Sequence, residues 1–104
     1  MADTLTRLEA TIASRKGADA ASSYVASLFA KGRPKIARKF GEEAVEAIVA
    51  ALAEDKAALT GEAADTIFHL LVLLADAEIP LSDVFAELER REGVSGHDEK
   101  AARK

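Results

Sequence analysis

Apolar residues recur along this chain at helical spacing, and nowhere in the strict alternation of a half-buried strand. Leu5, Leu8 and Ile12 fall at i, i+3 and i+7, predicting an amphipathic helix that Asp3 can cap and Gly17 can end. Ala18 to Ser22 is small and polar, a connector. Tyr24 with Leu28, and Val25 with Phe29, are i, i+4 pairs on a short second helix that stops at Lys31-Gly32. Pro34 suits the first turn of a third helix, where its missing N–H costs nothing. Its apolar stripe is expected to be Ile36, Phe40, Ala44, Ile48, Ala51 and Leu52, ending near Glu54.

Glu54-Asp55-Lys56 reads as a turn, with Asp55 as the cap of a fourth helix running to about Ala77. Gly61 falls inside that helix unless it starts at a Thr60 cap. Within it, Ile67 to Leu74 is apolar nearly all round, the pattern of a helix buried on every side. Pro80 ends this element. Ser82 is expected to open a last helix with Val84, Phe85 and Leu88 inward, closing at Gly93. The expectation is an all-α bundle of about five helices built on a helical hairpin. One domain spans 1–93, and 94–104 is a polar tail, mobile until something binds it.

Composition sharpens this in one respect. The apolar fraction is 49%, but 23 of those residues are alanine, which favours helix and buries little area. A chain of 104 residues with so few large side chains gains from covering its apolar helix with a second copy, so a homodimer with an interface in Phe68 to Leu74 is expected. With no cysteine, disulfides and thiolate zinc sites are excluded. A net charge of −4 argues against nucleic acid as main partner. The apolar run broken by His69 falls short of the ~18 residues a membrane span needs, and no secretory signal is visible, so a cytoplasmic location and no membrane partner are expected.

Two acidic clusters stand against the apolar pattern: Glu42, Glu43 and Glu46, then Glu62 and Asp65. Like charges three and four apart on a helix repel by a few tenths of a kcal/mol per pair. A hairpin could point all five carboxylates at one another, tolerable only around a cation. Hard Mg²⁺ pairs a few carboxylates with substrate phosphates. The alternative is a pair of solvated acidic faces. Lys35, Arg38 and Lys39, one turn earlier, are salt-bridge partners in the second case and phosphate ligands in the first. His69 extends the Glu62/Asp65 stripe, either as a core histidine or as part of a site. A di-iron site needs Glu-x-x-His pairs, whereas His69 follows Asp65 by four residues in a single copy. Calcium-loop and phosphate-loop motifs are absent.

The string from Lys39 through Glu46 (Lys-Phe-Gly-Glu-Glu-Ala-Val-Glu), followed by Glu62 through Leu74, resembles the phosphoribosyl-ATP pyrophosphohydrolases. These are all-α, MazG-like enzymes whose clan motif is Glu-x-x-Glu followed later by Glu-x-x-Asp; Glu43, Glu46, Glu62 and Asp65 match it. Leu8-Glu9, Ser23-Tyr24, Lys35-Ile36, Asp83-Val84, Arg90-Arg91 and Gly93 to Gly96 extend the likeness over nearly the whole chain, with Gly61 as a departure. The resemblance implies hydrolysis of phosphoribosyl-ATP to phosphoribosyl-AMP and pyrophosphate, the second step of histidine biosynthesis. It implies Mg²⁺, or Mn²⁺ in its place, on Glu43, Glu46, Glu62 and Asp65. Glu42 or Glu43 would accept the water's proton, and Lys35, Lys39, His69 and Arg91 would bind substrate. A pyrophosphohydrolase for other nucleoside triphosphates and a non-catalytic dimerisation module are the rival readings.

Overall fold

The computed structural model describes residues 2–93; the expected tail, 94–104, lies outside them. Five α-helices follow in order: α1 (Ala2–Ser14), α2 (Tyr24–Lys31), α3 (Arg33–Ala53), α4 (Lys56–Asp76) and α5 (Leu81–Arg91). The described residues contain no strand. A 3₁₀ turn, Ala20–Ser22, joins α1 to α2, with Asp19 accepting from the Ala21 N–H at its start. Ser23 caps α2 by accepting from Ala26 N–H at 2.9 Å. Gly32, at φ +93°, is the hinge where α2 stops and α3 begins, and Pro34 occupies the first turn as expected.

The α3–α4 hairpin is the framework. Asp55 caps α4, accepting from Ala58 N–H at 2.9 Å, and the helix runs straight through Gly61. The Thr60 hydroxyl donates to the Lys56 carbonyl inside the helix, so Thr60 is not a cap. At the far end, Arg33 clamps the start of α3 to the end of α4. Its Nε lies 2.7 Å from Asp76 Oδ2 and its Nη2 3.1 Å from the Asp76 carbonyl. Helix α1 packs on α4, and α2 on α3. Ile12, Leu28, Ile36, Leu71, Val72 and Leu81 form the core, drawn from all five helices.

Several local expectations change. Asp3 lies in the first turn of α1 rather than at its cap. On α3 the buried positions are Ile36, Glu43 and Ala50, whereas Ile48 is 58% and Leu52 83% exposed. The buried face of α3 thus combines Ile36 with one acid and one alanine. The larger side chains, Val45, Ile48, Val49 and Leu52, form a separate stripe at i, i+3, i+4 and i+7 that faces away. Leu88 is likewise exposed, leaving Val84 and Phe85 to seat α5.

Helix α5 begins at Leu81, with Pro80 at its cap position and no local side-chain cap. The orphan N–H of Leu81 is met instead by Glu9 Oε2 of α1, at 2.7 Å. That long-range bond takes the role expected of Ser82. Helix α4 has 21 residues and is apolar enough, by length and composition, to cross a membrane, contrary to what the interrupted run implied. Its positions His69, Leu71 and Val72 are buried, while Leu59, Ile67 and Leu70 are exposed.

Candidate active site

Glu43 and Asp65 meet because Thr66 ties the hairpin together at that level. Its hydroxyl lies 2.7 Å from the Glu62 carbonyl in its own helix and 3.2 Å from the Glu43 carbonyl across the hairpin. One carboxylate oxygen each from Glu43, Glu62 and Asp65 lie within 4.8 Å of one another. Glu43 is buried, Glu62 half-buried and Asp65 exposed, so the cluster opens on one side to solvent.

Electrostatics identify the near neighbours. The Glu46 carboxyl is held above the usual carboxylate range, first by its hydrogen bond to Glu43 and then by that group's negative charge. Glu62 is raised by desolvation, followed by repulsion from Glu46, Glu43 and Asp65. Four carboxylates therefore feel one another here, three of them at ligand distance. All donors are hard oxygens, which suits Mg²⁺ or Mn²⁺ and not a soft metal.

Lys39 is the local counter-charge. Its Nζ stands 3.5 Å from Glu43 Oε1 and 3.8 Å from Glu42 Oε1. Its proton affinity is raised, the nearby Tyr24 being the largest influence and Glu43 and Glu42 adding to it. Glu42 is exposed on the outer wall of α3. There it lines an open groove of about 760 Å³ with Arg38, Lys39, Gly41, Val45 and Glu46. Lys35 is half-buried one turn before Lys39, on the same stripe.

His69 and Arg91 stand differently. His69 is buried, with Nδ1 2.7 Å from the Asp65 carbonyl and Nε2 2.8 Å from the Tyr24 hydroxyl. Both ring nitrogens are thus engaged within the protein. Arg91 lies in the last turn of α5, its Nε donating to Glu87 Oε2 at 2.9 Å. The same carboxylate takes 2.7 Å contact from Arg90, and the two guanidiniums pull Glu87 down to about 2.

Sequence reasoning placed Tyr24 in a helix-stabilising pair and overlooked it as a site residue. In the structure its ring stacks near-parallel on Phe68 at 6.5 Å and meets His69 edge-on at 5.8 Å. Its hydroxyl is raised in pKa, first by desolvation; Lys39 opposes that, while Glu43, Asp65 and Glu42 add to it. Tyr24 is thus joined through His69 to the turn of α4 that carries Asp65. The only signal in the sequence was its place beside Ser23 at the start of a helix preceding the motif.

The phosphoribosyl-ATP pyrophosphohydrolase family model matches residues 5–92. A phosphoribosyl-ATP pyrophosphatase of Rhizorhabdus wittichii is 64% identical over 103 residues, covering 99% of this chain and 97% of that protein. The protein of the same name from Dinoroseobacter shibae is 64% identical over 99 residues, covering 95% and 97% of the two chains. That of Zymomonas mobilis is 59% identical over 101 residues, covering 97% and 94%. With the family match covering α2 to α5 and all but the first residues of α1, and these relatives aligned nearly end to end, the chain belongs to the phosphoribosyl-ATP pyrophosphohydrolase family.

Proposed function

We propose that the chain hydrolyses phosphoribosyl-ATP to phosphoribosyl-AMP and pyrophosphate, the second step of histidine biosynthesis. The observation that carries the reading is the trio of carboxylate oxygens within 4.8 Å, drawn from both helices of the hairpin, in a chain of this family. Without a cation such a cluster only costs stability, since its members repel.

Glu43, Glu62 and Asp65 would hold Mg²⁺, with Glu46 beside them; Mn²⁺ offers the same hard-ion chemistry. The ion, when bound, neutralises triphosphate charge and makes water more acidic. Lys39, and Lys35 one turn away, bind phosphate oxygens and add positive charge where pyrophosphate departs. Glu43 is committed to the cluster, which leaves Glu42, sharing Lys39 with it, to accept the proton of the attacking water. Arg91 is a further phosphate ligand, exchanging its bond to Glu87 for the substrate. His69 contributes through the hydrogen bonds it already makes. The products correspond to one water molecule cleaving the α–β anhydride.

A second copy of the chain covers the stripe Val45, Ile48, Val49 and Leu52, together with Leu59, Ile67 and Leu70 on α4. Of the segment Phe68 to Leu74, His69, Leu71 and Val72 are taken up by the chain's own core, so α3 supplies most of this surface. Light scattering should give twice the 11.0 kDa chain mass, and Leu52→Lys should lower it towards one chain. A wild-type mass of one chain at micromolar concentration refutes the dimer. A cytoplasmic location accords with the reaction.

The decisive experiment is product analysis of the purified protein with phosphoribosyl-ATP beside ordinary nucleoside triphosphates, in Mg²⁺ and after chelation. Metal-dependent pyrophosphate release that favours phosphoribosyl-ATP is expected. Equal or greater turnover of ordinary nucleotides would move the assignment to another substrate, and no turnover of any would end it.

A further inference from the structure

The open groove on the outer wall of α3 adjoins the carboxylate cluster, because Lys39, which lines it, stands 3.5 Å from Glu43. Its volume of about 760 Å³ is in the range of sites that take small ligands. Among the described residues, two cations line it. Lys39 is held by Glu42 and Glu43, at 3.8 and 3.5 Å. Arg38 lies exposed beside it, with no ion pair or hydrogen bond among the described residues. Helical spacing offers it Glu42, four residues on, yet that carboxylate turns to Lys39. Arg33 and Arg91, by contrast, are each bound to an acid. The guanidinium of Arg38 is open to a ligand.

Gly41 lines the same groove from the interior of α3, where glycine weakens a helix relative to alanine. Its backbone is helical, so no turn demands a glycine, and a Cβ built there meets nothing within 4 Å. Neither conformation nor packing inside the chain accounts for it. A bare backbone does allow close approach from outside, and Gly41 follows Arg38 by three residues, one turn along the same face. Gly61 shares that openness and lines no part of this groove.

The proposed substrate has two anionic ends. Its triphosphate goes to the metal carboxylates and Lys39. The phosphate on the added ribose needs a cation apart from these, and plain ATP has no such group. Arg38 leaves α3 about 6 Å along the axis from Glu42, at 1.5 Å per residue. We infer that Arg38 and Gly41 form the subsite for the phosphoribosyl end of the substrate. The Arg38 guanidinium donates to the phosphomonoester oxygens as a two-pronged fork, and the sugar passes over the bare backbone at Gly41. The inference rests on the proposed hydrolysis for the identity of its ligand; the unpaired guanidinium and the open wall stand without it.

The test compares phosphoribosyl-AMP with AMP as ligands of the intact protein in Mg²⁺, by isothermal titration. The two differ only by the phosphoribosyl group, and no turnover is needed. Wild type should hold phosphoribosyl-AMP about ten- to a hundredfold more tightly, the worth of a charge-assisted phosphate contact. Arg38→Gln should shrink that ratio to within about twofold. Arg38→Lys, which keeps the charge and loses the fork, should fall between. Gly41→Ala should hold or raise the melting temperature, because alanine favours helix and meets nothing in the chain, yet bind phosphoribosyl-AMP about tenfold more weakly. A merely structural glycine would not move stability and binding in opposite directions.

If wild type does not cleave phosphoribosyl-ATP while Arg38 still governs the ratio of the two ligands, the reaction reading fails and the subsite stands. If phosphoribosyl-ATP is cleaved and Arg38→Gln leaves the ratio unchanged, the subsite alone is overturned. A wild type that does not distinguish the two ligands, or a Gly41→Ala protein that binds both as wild type does, would overturn it as well. So would an Arg38→Gln protein whose mass in light scattering departs from wild type, since Arg38 would then belong to the contact between copies.

Discussion

Thr66 reaches across the hairpin to the carbonyl of Glu43, 3.2 Å from its hydroxyl, while lying 2.7 Å from the carbonyl of Glu62 in its own helix. A single proton serves two carbonyls, and both belong to residues whose side chains enter the carboxylate cluster. The hydroxyl therefore sets the axial register of α3 against α4 where ligand spacing matters. Thr66→Val keeps the shape and removes the tie. Expected are a small loss of stability, about 1 kcal/mol, and a larger relative loss in Mg²⁺ affinity. Isothermal titration with Mg²⁺ checks it, and unchanged affinity would reduce Thr66 to a packing residue.

Neutralising the cluster should move activity and stability in opposite directions. Asp65→Asn and Glu62→Gln remove repulsion that nothing offsets in the metal-free protein, so its melting temperature should hold or rise. Turnover with saturating Mg²⁺ should fall by orders of magnitude in Asp65→Asn and in Glu43→Gln. Near-wild-type turnover in both would exclude these carboxylates as the metal site.

Gly61 lies in the interior of α4, and a Cβ built there meets nothing within 4 Å. Gly61→Ala should therefore stabilise by about 0.5–1 kcal/mol, a rise of a few degrees in melting temperature, without changing kcat/KM. A fall in melting temperature would mean that the position is covered in the assembled protein.

Glu87 gives a pH signature away from the site. Its folded pKa of about 2 lies below the ordinary 4.5, held there by hydrogen bonds from Arg90 and Arg91. A depressed carboxylate contributes stability that is present above the unfolded value and is lost as pH falls through the folded one. The melting-temperature difference between wild type and Glu87→Gln should thus be constant above about pH 5 and vanish between 4.5 and 2. A gap that persists at pH 2 would mean that packing, not charge, is at work.

Much of this arrangement is legible in residue spacing. The cap at Asp55, the Gly32 stop, Pro34 in the first turn of α3 and the two acid clusters on paired helices all follow from local chemistry. What misled was α3, which carries two candidate stripes. Hydrophobicity favours the one with Ile48 and Leu52, yet the hairpin buries the one with Glu43 and Ala50. No local rule places Glu43 on the inward face, because its tie to the other helix, Thr66, lies 23 residues away. Tyr24 escaped notice for the same reason: its partner, His69, lies 45 residues distant. Pairings of that kind have no periodicity to read.

The Glu9–Leu81 bond, spanning 72 residues, carries a consequence for how the chain assembles. The α3–α4 hairpin needs only the short turn around Glu54 and Asp55 to form, so its contacts close early and at small entropic cost. The last helix lacks a side-chain cap of its own and starts on a carboxylate made near the beginning of the chain. Glu9 can take up that role only once the last helix has been made. A chain shortened past Glu9 should keep a folded hairpin and lose protection from amide exchange first at the start of α5, 72 residues from the lost carboxylate.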